Sequence, residues 1–265
     1  MTFPGSREIL LGTLSGLILA LPGWARRQET GFLDRVTVIG GVEYKYQVFV
    51  PRGWNANAKW PVILFLHGYG EEGSDGLLAA DEGIGTAIRK HVDRFPAVVV
   101  IPQCRKEDWW TNAPMEAAAL EALDRSMREF KGDPSRIYLT GLSMGGYGTW
   151  ALGAKCSGRF AALVPICGGV RLPPGDKIVN AHDTDDSADP YAAIAKKIGK
   201  TPVWVFHGGA DPVVPVTESR QMVEALKAAG GNVRYTEYPG VEHNSWDKAY
   251  DEAELLPWLL SQKLP

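Results

Sequence analysis

Apolar and polar positions alternate along residues 36–50, and Gly40 and Gly41 interrupt the alternation near its middle. Alternation with a period of two predicts a strand with one buried face, and paired glycines favour a tight turn between two strands. Residues 62–66 and 162–167 are instead continuously apolar, which is typical of parallel strands that are covered on both faces. The pattern therefore predicts a hairpin at an edge and buried parallel strands inside a sheet.

Predicted helices alternate with strands along the rest of the chain, which is the order of an α/β domain. Helices are expected at residues 82–91, 115–130, 191–198, 216–229 and 245–260, and further strands at residues 97–101, 136–140, 203–207 and 233–238. Asp133 and Pro134 predict a turn just before one of these strands. We find no repeat or linker, so the sequence predicts one α/β domain whose sheet is mostly parallel and covered by helices on both faces.

Composition narrows the classes of function. The chain has 265 residues, of which 45% are hydrophobic and 22% charged, and this suits one large domain with an ample core. The net charge is −3 and lysines and arginines form no run, which argues against nucleic acid as a partner. Cys104, Cys156 and Cys167 lack C-x-x-C spacing, so neither a zinc knuckle nor a redox pair is indicated. Whether two of these cysteines form a disulfide and the third is a free thiol stays open.

The N-terminus has the features of an export signal. Arg7 precedes an apolar run over residues 9–21, and small residues lead to a cleavage site after Ala25. The run is shorter than the ~20 residues that span a bilayer. We therefore expect a signal peptide over residues 1–25, a secreted or periplasmic domain over residues 26–265, and no stable membrane span in the mature chain. An uncleaved anchor or a buried N-terminal helix is the alternative.

The strongest chemical signal is a G-x-S-x-G motif at residues 141–145, between a predicted strand and a segment that can start a helix. A sharp elbow of this kind points the Ser143 hydroxyl out of the sheet, and a Cβ on Gly141 or Gly145 would crowd it. The chain contains 30 glycines, so a chance match or an ordinary surface turn is the alternative to a nucleophile.

A serine nucleophile needs a base, and the base needs an acid that orients it. His243 follows the last predicted strand, and Asp211 follows the strand before it. These loops gather beyond the carboxyl ends of a parallel sheet, and the order Ser, Asp, His is that of the α/β-hydrolase fold. We therefore predict Ser143 as the nucleophile, His243 as the base and Asp211 as the orienting acid, with Glu242 and Asp183 as reserve acids.

The other histidines are weaker candidates for the base because of their positions. His91 is in a predicted helix and His182 lies in a long polar stretch. His67 and His207 end predicted strands, where a buried imidazole commonly serves the backbone. Several acids lie near His182 in the polar stretch, but their spacing is not that of a calcium loop, and we predict no metal site.

Acyl transfer also needs hydrogen-bond donors for the developing oxyanion. We expect these from the backbone amides of Met144, at the start of the elbow helix, and Tyr69, in the loop after strand 62–66. Trp109 and Trp110 lie on a loop after another strand. Their rings could wall an apolar or aromatic acyl pocket, or they could equally cap the core.

These motifs resemble those of α/β-hydrolases, in the branch of exported bacterial esterases and predicted peptidases that includes phospholipase/carboxylesterase-like and feruloyl-esterase-like hydrolases. The resemblance covers roughly residue 36 to the C-terminus and is carried by residues 67–71, 141–148, 211–215 and 243–246. It implies a cofactor-free serine hydrolase with the predicted triad, but its motifs are not specific for substrate. As the activity we expect a carboxylesterase that acts on short-chain or aryl (feruloyl-like) esters, either small or polymer-linked. A serine peptidase of prolyl-oligopeptidase-like type and a non-catalytic binding protein on the same fold are the alternatives. The oligomeric state stays open.

Overall fold

The structure, a computed structural model, describes Met1, residues 29–171 and residues 189–265. The predicted signal peptide therefore lies outside the described residues except for Met1, and so do His182 and Asp183. Within the described ranges, no helix has both the length and the apolar character needed to cross a bilayer.

The described residues form one eight-stranded sheet. Its strands are β1 (Gly31–Ile39), β2 (Val42–Val50), β3 (Trp60–Leu66), β4 (Val98–Pro102), β5 (Gly132–Leu142), β6 (Ala162–Ile166), β7 (Val203–Gly208) and β8 (Val233–Tyr238). The order across the sheet is β1-β2-β4-β3-β5-β6-β7-β8. Only the pairs β1–β2 and β2–β4 are antiparallel, so the sheet is mostly parallel as predicted.

The predicted hairpin is confirmed at the β1 edge of the sheet. Ile39 pairs with Val42, and the intervening glycines, Gly40 and Gly41, have φ values of 58° and 82°. Glycine adopts this left-handed region without the steric cost that a side chain would bring. The hairpin therefore forms at the position where the alternation of the sequence is interrupted.

Helices cover both faces of the sheet. They are α1 (Ile84–Lys90), α2 (Ala113–Glu129), α3 (Met144–Lys155), α4 (Pro190–Ile198), α5 (Val216–Ala228), α6 (Trp246–Asp251) and α7 (Leu255–Ser261). Helices α2 to α5 contribute to one hydrophobic cluster, and α1, α6 and α7 contribute to the other. Successive residues of β3 point alternately into the two clusters: Leu64 packs into the first, and Ile63 and Phe65 into the second. This burial on both faces explains why the sequence of β3 is continuously apolar.

The prediction of one closing helix over residues 245–260 is wrong, because the chain forms two helices there, α6 and α7. Glu252 has extended backbone angles, φ −55° and ψ 120°, and ends α6. The guanidinium of Arg94 donates to the carbonyls of Asp251 (3.4 Å) and Glu252 (3.0 Å). A side chain from a distant segment thus satisfies carbonyls that would otherwise accept helical hydrogen bonds.

The prediction of a turn at Asp133 and Pro134 is also wrong, because both residues belong to β5. The chain reverses just before them, at Lys131, whose φ is 57°. The register of β5 against β3 shifts near this end of the strand. Asp133 accepts from the Ser135 amide at 3.0 Å, so the local side-chain bond expected of a turn forms within an irregular strand end.

Replacing Leu64 by alanine should lower the free energy of unfolding by about 2–5 kcal/mol, because its fully buried side chain would leave a cavity between β3 and the helices. Urea denaturation at neutral pH measures this change. The matched control is Leu77→Ala, since Leu77 is 51% exposed and its truncation should cost within about 0.5 kcal/mol. Equal losses in the two variants would contradict the assignment of Leu64 to the core.

Candidate active site

The elbow between β5 and α3 holds Ser143 in an unusual backbone conformation. Its φ is 51° and its ψ is −118°, a sparsely populated region that costs of order 1–3 kcal/mol for a residue with a side chain. A Cβ on Gly141 would lie 2.3 Å from the Gly145 carbonyl oxygen, and one on Gly145 would lie 1.9 Å from the Leu66 carbonyl oxygen. The predicted steric need for glycine at both positions is confirmed.

The structure brings the three predicted triad residues together. Ser143 Oγ lies 2.9 Å from His243 Nε2, and His243 Nδ1 lies 2.7 Å from Asp211 Oδ2. Asp211 follows β7 and His243 follows β8, so each side chain comes from the carboxyl end of a parallel strand. An ionised carboxylate only accepts, so Nδ1 carries the proton, and Nε2 is left to accept the hydroxyl proton of Ser143.

The Asp211 carboxylate is fully buried and hydrogen-bonded on both oxygens. Oδ1 accepts from the amides of Val213 (2.8 Å) and Val214 (2.9 Å), while Oδ2 faces His243 and also lies 3.2 Å from His207 Nε2. Burial opposes the charge. The hydrogen bonds from the two imidazoles and the two amides outweigh this effect and hold the pKa of Asp211 well below its usual range. Asp211 is therefore ionised and able to orient the His243 imidazole.

His207 supports this carboxylate from a buried position at the end of β7. Its Nε2 lies 3.0 Å from the Val214 carbonyl oxygen and its Nδ1 lies 2.7 Å from Ser219 Oγ. A carbonyl cannot donate, so Nε2 carries the proton, and its N–H is shared between Val214 and Asp211. The expectation that His207 serves the backbone is confirmed, and its contact with Asp211 is an addition that the sequence did not indicate.

The reserve acids do not replace Asp211 in the described structure. Glu242 is exposed at the surface, next to His243 along the chain, and Asp183 lies outside the described residues. Among the described carboxylates, Asp211 is the one that contacts the His243 imidazole.

Both predicted oxyanion donors lie at the starts of helical turns. The Met144 amide begins α3, and the Tyr69 amide begins a short 3₁₀ turn, Tyr69–Glu71. A Cβ added to Gly68 would lie 3.7 Å from the Cβ of Ser143, so this turn packs against Ser143. In the described part of the chain, neither amide donates to a protein acceptor. The oxyanion role of both amides stays a prediction.

The two tryptophans have different environments. Trp110 is completely buried, its Nε1 donates to the His67 carbonyl at 2.9 Å, and its ring meets the His67 ring edge-on at 5.0 Å. Trp110 therefore caps the core, and the prediction that it walls an acyl pocket does not fit this burial. Trp109 is partly exposed and packs edge-on against Tyr147 of the elbow helix, with ring centroids 5.8 Å apart. Its pocket role stays a prediction.

Trp246 is a residue at the site for which the sequence indicated no role. Its ring packs edge-on against His243 with centroids 5.4 Å apart, and its Nε1 lies 3.3 Å from Glu82 Oε2. This contact packs an aromatic ring against the imidazole and so restricts its rotation. The only available signal was an aromatic residue three positions after the predicted base.

Cys104, Cys156 and Cys167 are all free thiols. Cys167 directly follows β6, and its sulfur forms, with Asp211 and His243, a set of metal-ligand types whose atoms lie within 4.8 Å of one another. Burial raises the pKa of Cys167 to about 12, so the thiol holds its proton, whereas metal ligation requires a thiolate. The other two groups already bond to each other, and we assign no metal to this set.

Comparison with known proteins places the chain among hydrolases. A model of the dienelactone hydrolase family matches residues 105–253, which is more than half of the chain. The chain belongs to the dienelactone hydrolase family. Family membership confirms the resemblance to α/β-hydrolases that the motifs indicated, and the matched range includes all three predicted triad residues.

Several relatives of this family member are esterases or thioesterases. The chain is 30% identical over 132 residues to acyl-protein thioesterase 1 of Gibberella zeae, covering 50% of each chain. It is 23% identical over 231 residues to a probable feruloyl esterase C of Aspergillus terreus, covering 85% of this chain and 76% of that protein. It spans about half the length of the thioesterase and of poly(3-hydroxyalkanoate) depolymerase C of Paucimonas lemoignei.

Solved structures support the same fold. A thermostable esterase has 34% sequence identity and a TM-score of 0.73, with 88% of this chain and 63% of that chain covered. A feruloyl esterase module from Clostridium thermocellum, with a TM-score of 0.65 and 17% identity, shares the fold. The predicted α/β-hydrolase fold of this dienelactone hydrolase family member is confirmed.

His67 should make the protein less stable as the pH falls below 6.5. Burial lowers the pKa of His67 from 6.5 to about 4. The unfolded chain therefore binds a proton between these values that the folded protein excludes. The free energy of unfolding should fall by about 2 kcal/mol from this group between pH 7 and pH 5. Urea denaturation across this pH range measures the loss, and a His67 imidazole that titrates near pH 6.5 by NMR in the folded protein would contradict the cause.

Proposed function

We propose that this dienelactone hydrolase family member is a serine esterase that cleaves carboxylic esters through an acyl-Ser143 intermediate. The observation that carries the proposal is the continuous hydrogen-bonded chain from Ser143 Oγ through both nitrogens of His243 to the buried carboxylate of Asp211. A hydroxyl in this arrangement has a base within reach of its proton, and the base has a fixed tautomer. The esterase and thioesterase relatives support the same reaction class.

In the first half-reaction, Ser143 Oγ attacks the ester carbonyl carbon while His243 Nε2 takes the hydroxyl proton. The imidazolium that forms is stabilised by its Nδ1–H bond to Asp211, and the carbonyl oxygen becomes an oxyanion within reach of the Met144 and Tyr69 amides. The C–O bond to the alcohol then breaks, and the departing oxygen takes the proton from Nε2. The products of this half-reaction are the free alcohol and the acyl-Ser143 ester.

In the second half-reaction, a water molecule gives a proton to His243 Nε2 as it attacks the acyl carbon. The bond to Ser143 Oγ breaks, the serine oxygen recovers the proton, and the carboxylic acid leaves. Every step uses the triad, the two backbone amides and water, so we propose a cofactor-free enzyme.

For substrates we propose short-chain or aryl esters, small or polymer-linked. Trp109, which is partly exposed against Tyr147 of the elbow helix, offers an aromatic surface near the nucleophile. One relative is named as an acyl-protein thioesterase and another as a probable feruloyl esterase, so acyl and feruloyl esters are the first substrates to test.

For the domain organisation we propose a signal peptide over residues 1–25 and a single catalytic domain over residues 26–265. The apolar run before Ala25 supports the signal, and an uncharacterized secreted protein of Arthroderma benhamiae is 27% identical over 207 residues. The single eight-stranded sheet of the described residues, with a hydrophobic cluster on each face, supports the single domain.

The purified protein should hydrolyse p-nitrophenyl acetate and a feruloyl ester faster than a peptide p-nitroanilide, because ester alcohols leave more readily than amines. Initial rates on the three substrates measure the order. The controls are Ser143→Ala and His243→Ala, whose kcat should fall by about 10⁶, as in subtilisin, the measured case for a triad hydrolase. Amide turnover above ester turnover would identify a peptidase, and unchanged rates in either variant would place the chemistry elsewhere. A wild-type protein that turns over none of the substrates and does not react with a fluorophosphonate at Ser143 would be a binding protein.

The exported protein should begin at residue 26, since cleavage of the signal after Ala25 removes the apolar run. Intact-mass spectrometry of protein recovered from the periplasm or medium of a bacterial host measures the new N-terminus. A matched variant, Ala25→Phe, replaces the small residue before the cleavage site and should retain the full N-terminus. Recovery of full-length wild-type protein in the cell membrane would favour the uncleaved anchor.

A further inference from the structure

The turn at residues 67–71 lies directly against the nucleophile. A Cβ added to Gly68 would lie 2.8 Å from Leu142 Cδ1 and 3.7 Å from Ser143 Cβ. The first of these distances is shorter than real Cβ contacts, so a side chain at position 68 would displace the end of Leu142 or shift the turn. The position of the Tyr69 amide, the next one along this turn, therefore depends on how Gly68 is held.

Both polar groups of the Gly68 backbone bond to side chains of the same turn. The Gly68 amide donates to Glu71 Oε2 at 2.9 Å, and the Gly68 carbonyl oxygen lies 2.6 Å from His67 Nδ1. The Cys104 amide donates to His67 Nε2 at 2.9 Å. That nitrogen must therefore be unprotonated, so His67 carries its proton on Nδ1 and donates it to the Gly68 carbonyl.

These two bonds fix the direction of the Tyr69 N–H. The Gly68 carbonyl and the Tyr69 amide belong to one planar trans peptide, so holding the carbonyl sets the N–H on the opposite side. Glu71 holds the preceding peptide through the Gly68 amide. With both peptides held, Gly68 stays at φ −81° and ψ −177° despite the wide conformational freedom of glycine.

Glu71 is itself held in place by a side chain that follows another strand. Gln103, which is buried just after β4, donates from Nε2 to the Glu71 carbonyl at 3.1 Å, and its Oε1 accepts from the Gly76 amide at 2.7 Å. Burial raises the pKa of Glu71, the Gly68 amide opposes this, and the nearby Glu82 raises it further. The carboxyl group thus occupies a place that does not favour its charge, yet its oxygen accepts a hydrogen bond in either protonation state.

We propose that Glu71 is a positioning residue for ester hydrolysis: by accepting the Gly68 amide it keeps the Tyr69 N–H aimed at the oxyanion of the transition state. This inference rests on the proposed function. Glu71 acts through the backbone, so its loss should weaken transition-state binding while substrate binding in the ground state changes little. The turn requires an acceptor oxygen at this position. Glutamine also supplies one, so Glu71→Gln should preserve the function of Glu71.

The test compares Glu71→Ala, Glu71→Gln and wild type on p-nitrophenyl acetate. Glu71→Ala should lower kcat by about 10–10²-fold with KM within about threefold, since one misaimed donor costs up to that much. Glu71→Gln should stay within about threefold of wild type. Glu71→Met keeps the side-chain volume without an acceptor oxygen and should match Glu71→Ala, which provides a second variant if alanine impairs folding.

The matched control is Asp75→Ala. Asp75 lies in the same loop and also accepts backbone amides, from Leu77 at 2.6 Å and Leu78 at 3.0 Å, but it does not hold Gly68. Its replacement should leave kcat unchanged, and thermal unfolding of all variants checks that each is folded. A second readout is the inhibition constant of a trifluoromethyl ketone, whose adduct with Ser143 carries the oxyanion. It should rise in Glu71→Ala by the same factor as kcat/KM falls.

A Glu71→Gln variant as slow as Glu71→Ala would overturn the inference, because an acceptor oxygen would then not be the requirement. An equal loss in Asp75→Ala, or wild-type kcat in folded Glu71→Ala and Glu71→Met, would also overturn it. These results differ from failure of the proposed function, in which the wild-type protein itself would hydrolyse no ester and would not react with the trifluoromethyl ketone.

Discussion

The close approach of the elbow helix to the sheet is the constraint on which the rest of the site depends. The backbone of α3 begins so near the end of β3 that a Cβ on Gly145 would lie 1.9 Å from the Leu66 carbonyl oxygen. Gly146 also lies close to the end of β6, where a Cβ would lie 2.7 Å from the Ile166 carbonyl oxygen. Helical glycines normally weaken a helix by roughly 0.5–1 kcal/mol each. Here they allow the contact that holds Ser143 above the sheet.

The other parts of the site are arranged around this contact. Leu66 is the last residue of β3, so the chain that leaves it must pass beside Ser143 and forms the turn that carries the Tyr69 amide. The Ser143 amide donates to the Ile166 carbonyl at 2.9 Å, which ties Ser143 to β6 as well. Asp211 and His243 reach it from the next two strands across the sheet. The backbone of the elbow is thus held from both sides before any side chain contributes.

Much of the fold and of the proposed triad could be predicted from the sequence because their signals are local. Continuous apolar runs mark buried strands, and the carboxyl ends of parallel strands share one edge, so chain order alone brought Asp211 and His243 to Ser143. The break between α6 and α7 could not be predicted, since it depends on Arg94, more than 150 residues away along the chain. The burial of Trp110 and the bond from Glu71 to Gly68 likewise depend on which segments meet in three dimensions.

The strand order places the residues of the candidate site on loops from two halves of the sheet. The proposed nucleophile, base and acid follow β5, β8 and β7, whereas the turn that carries Tyr69 and the loop that carries Trp109 follow β3 and β4. The turn after β3 packs against Ser143, whereas substitutions around Trp109 would leave the hydrogen bonds among Ser143, His243 and Asp211 in place. With Trp109 in its proposed pocket role, a change of acyl preference would need substitutions in one half of the molecule only.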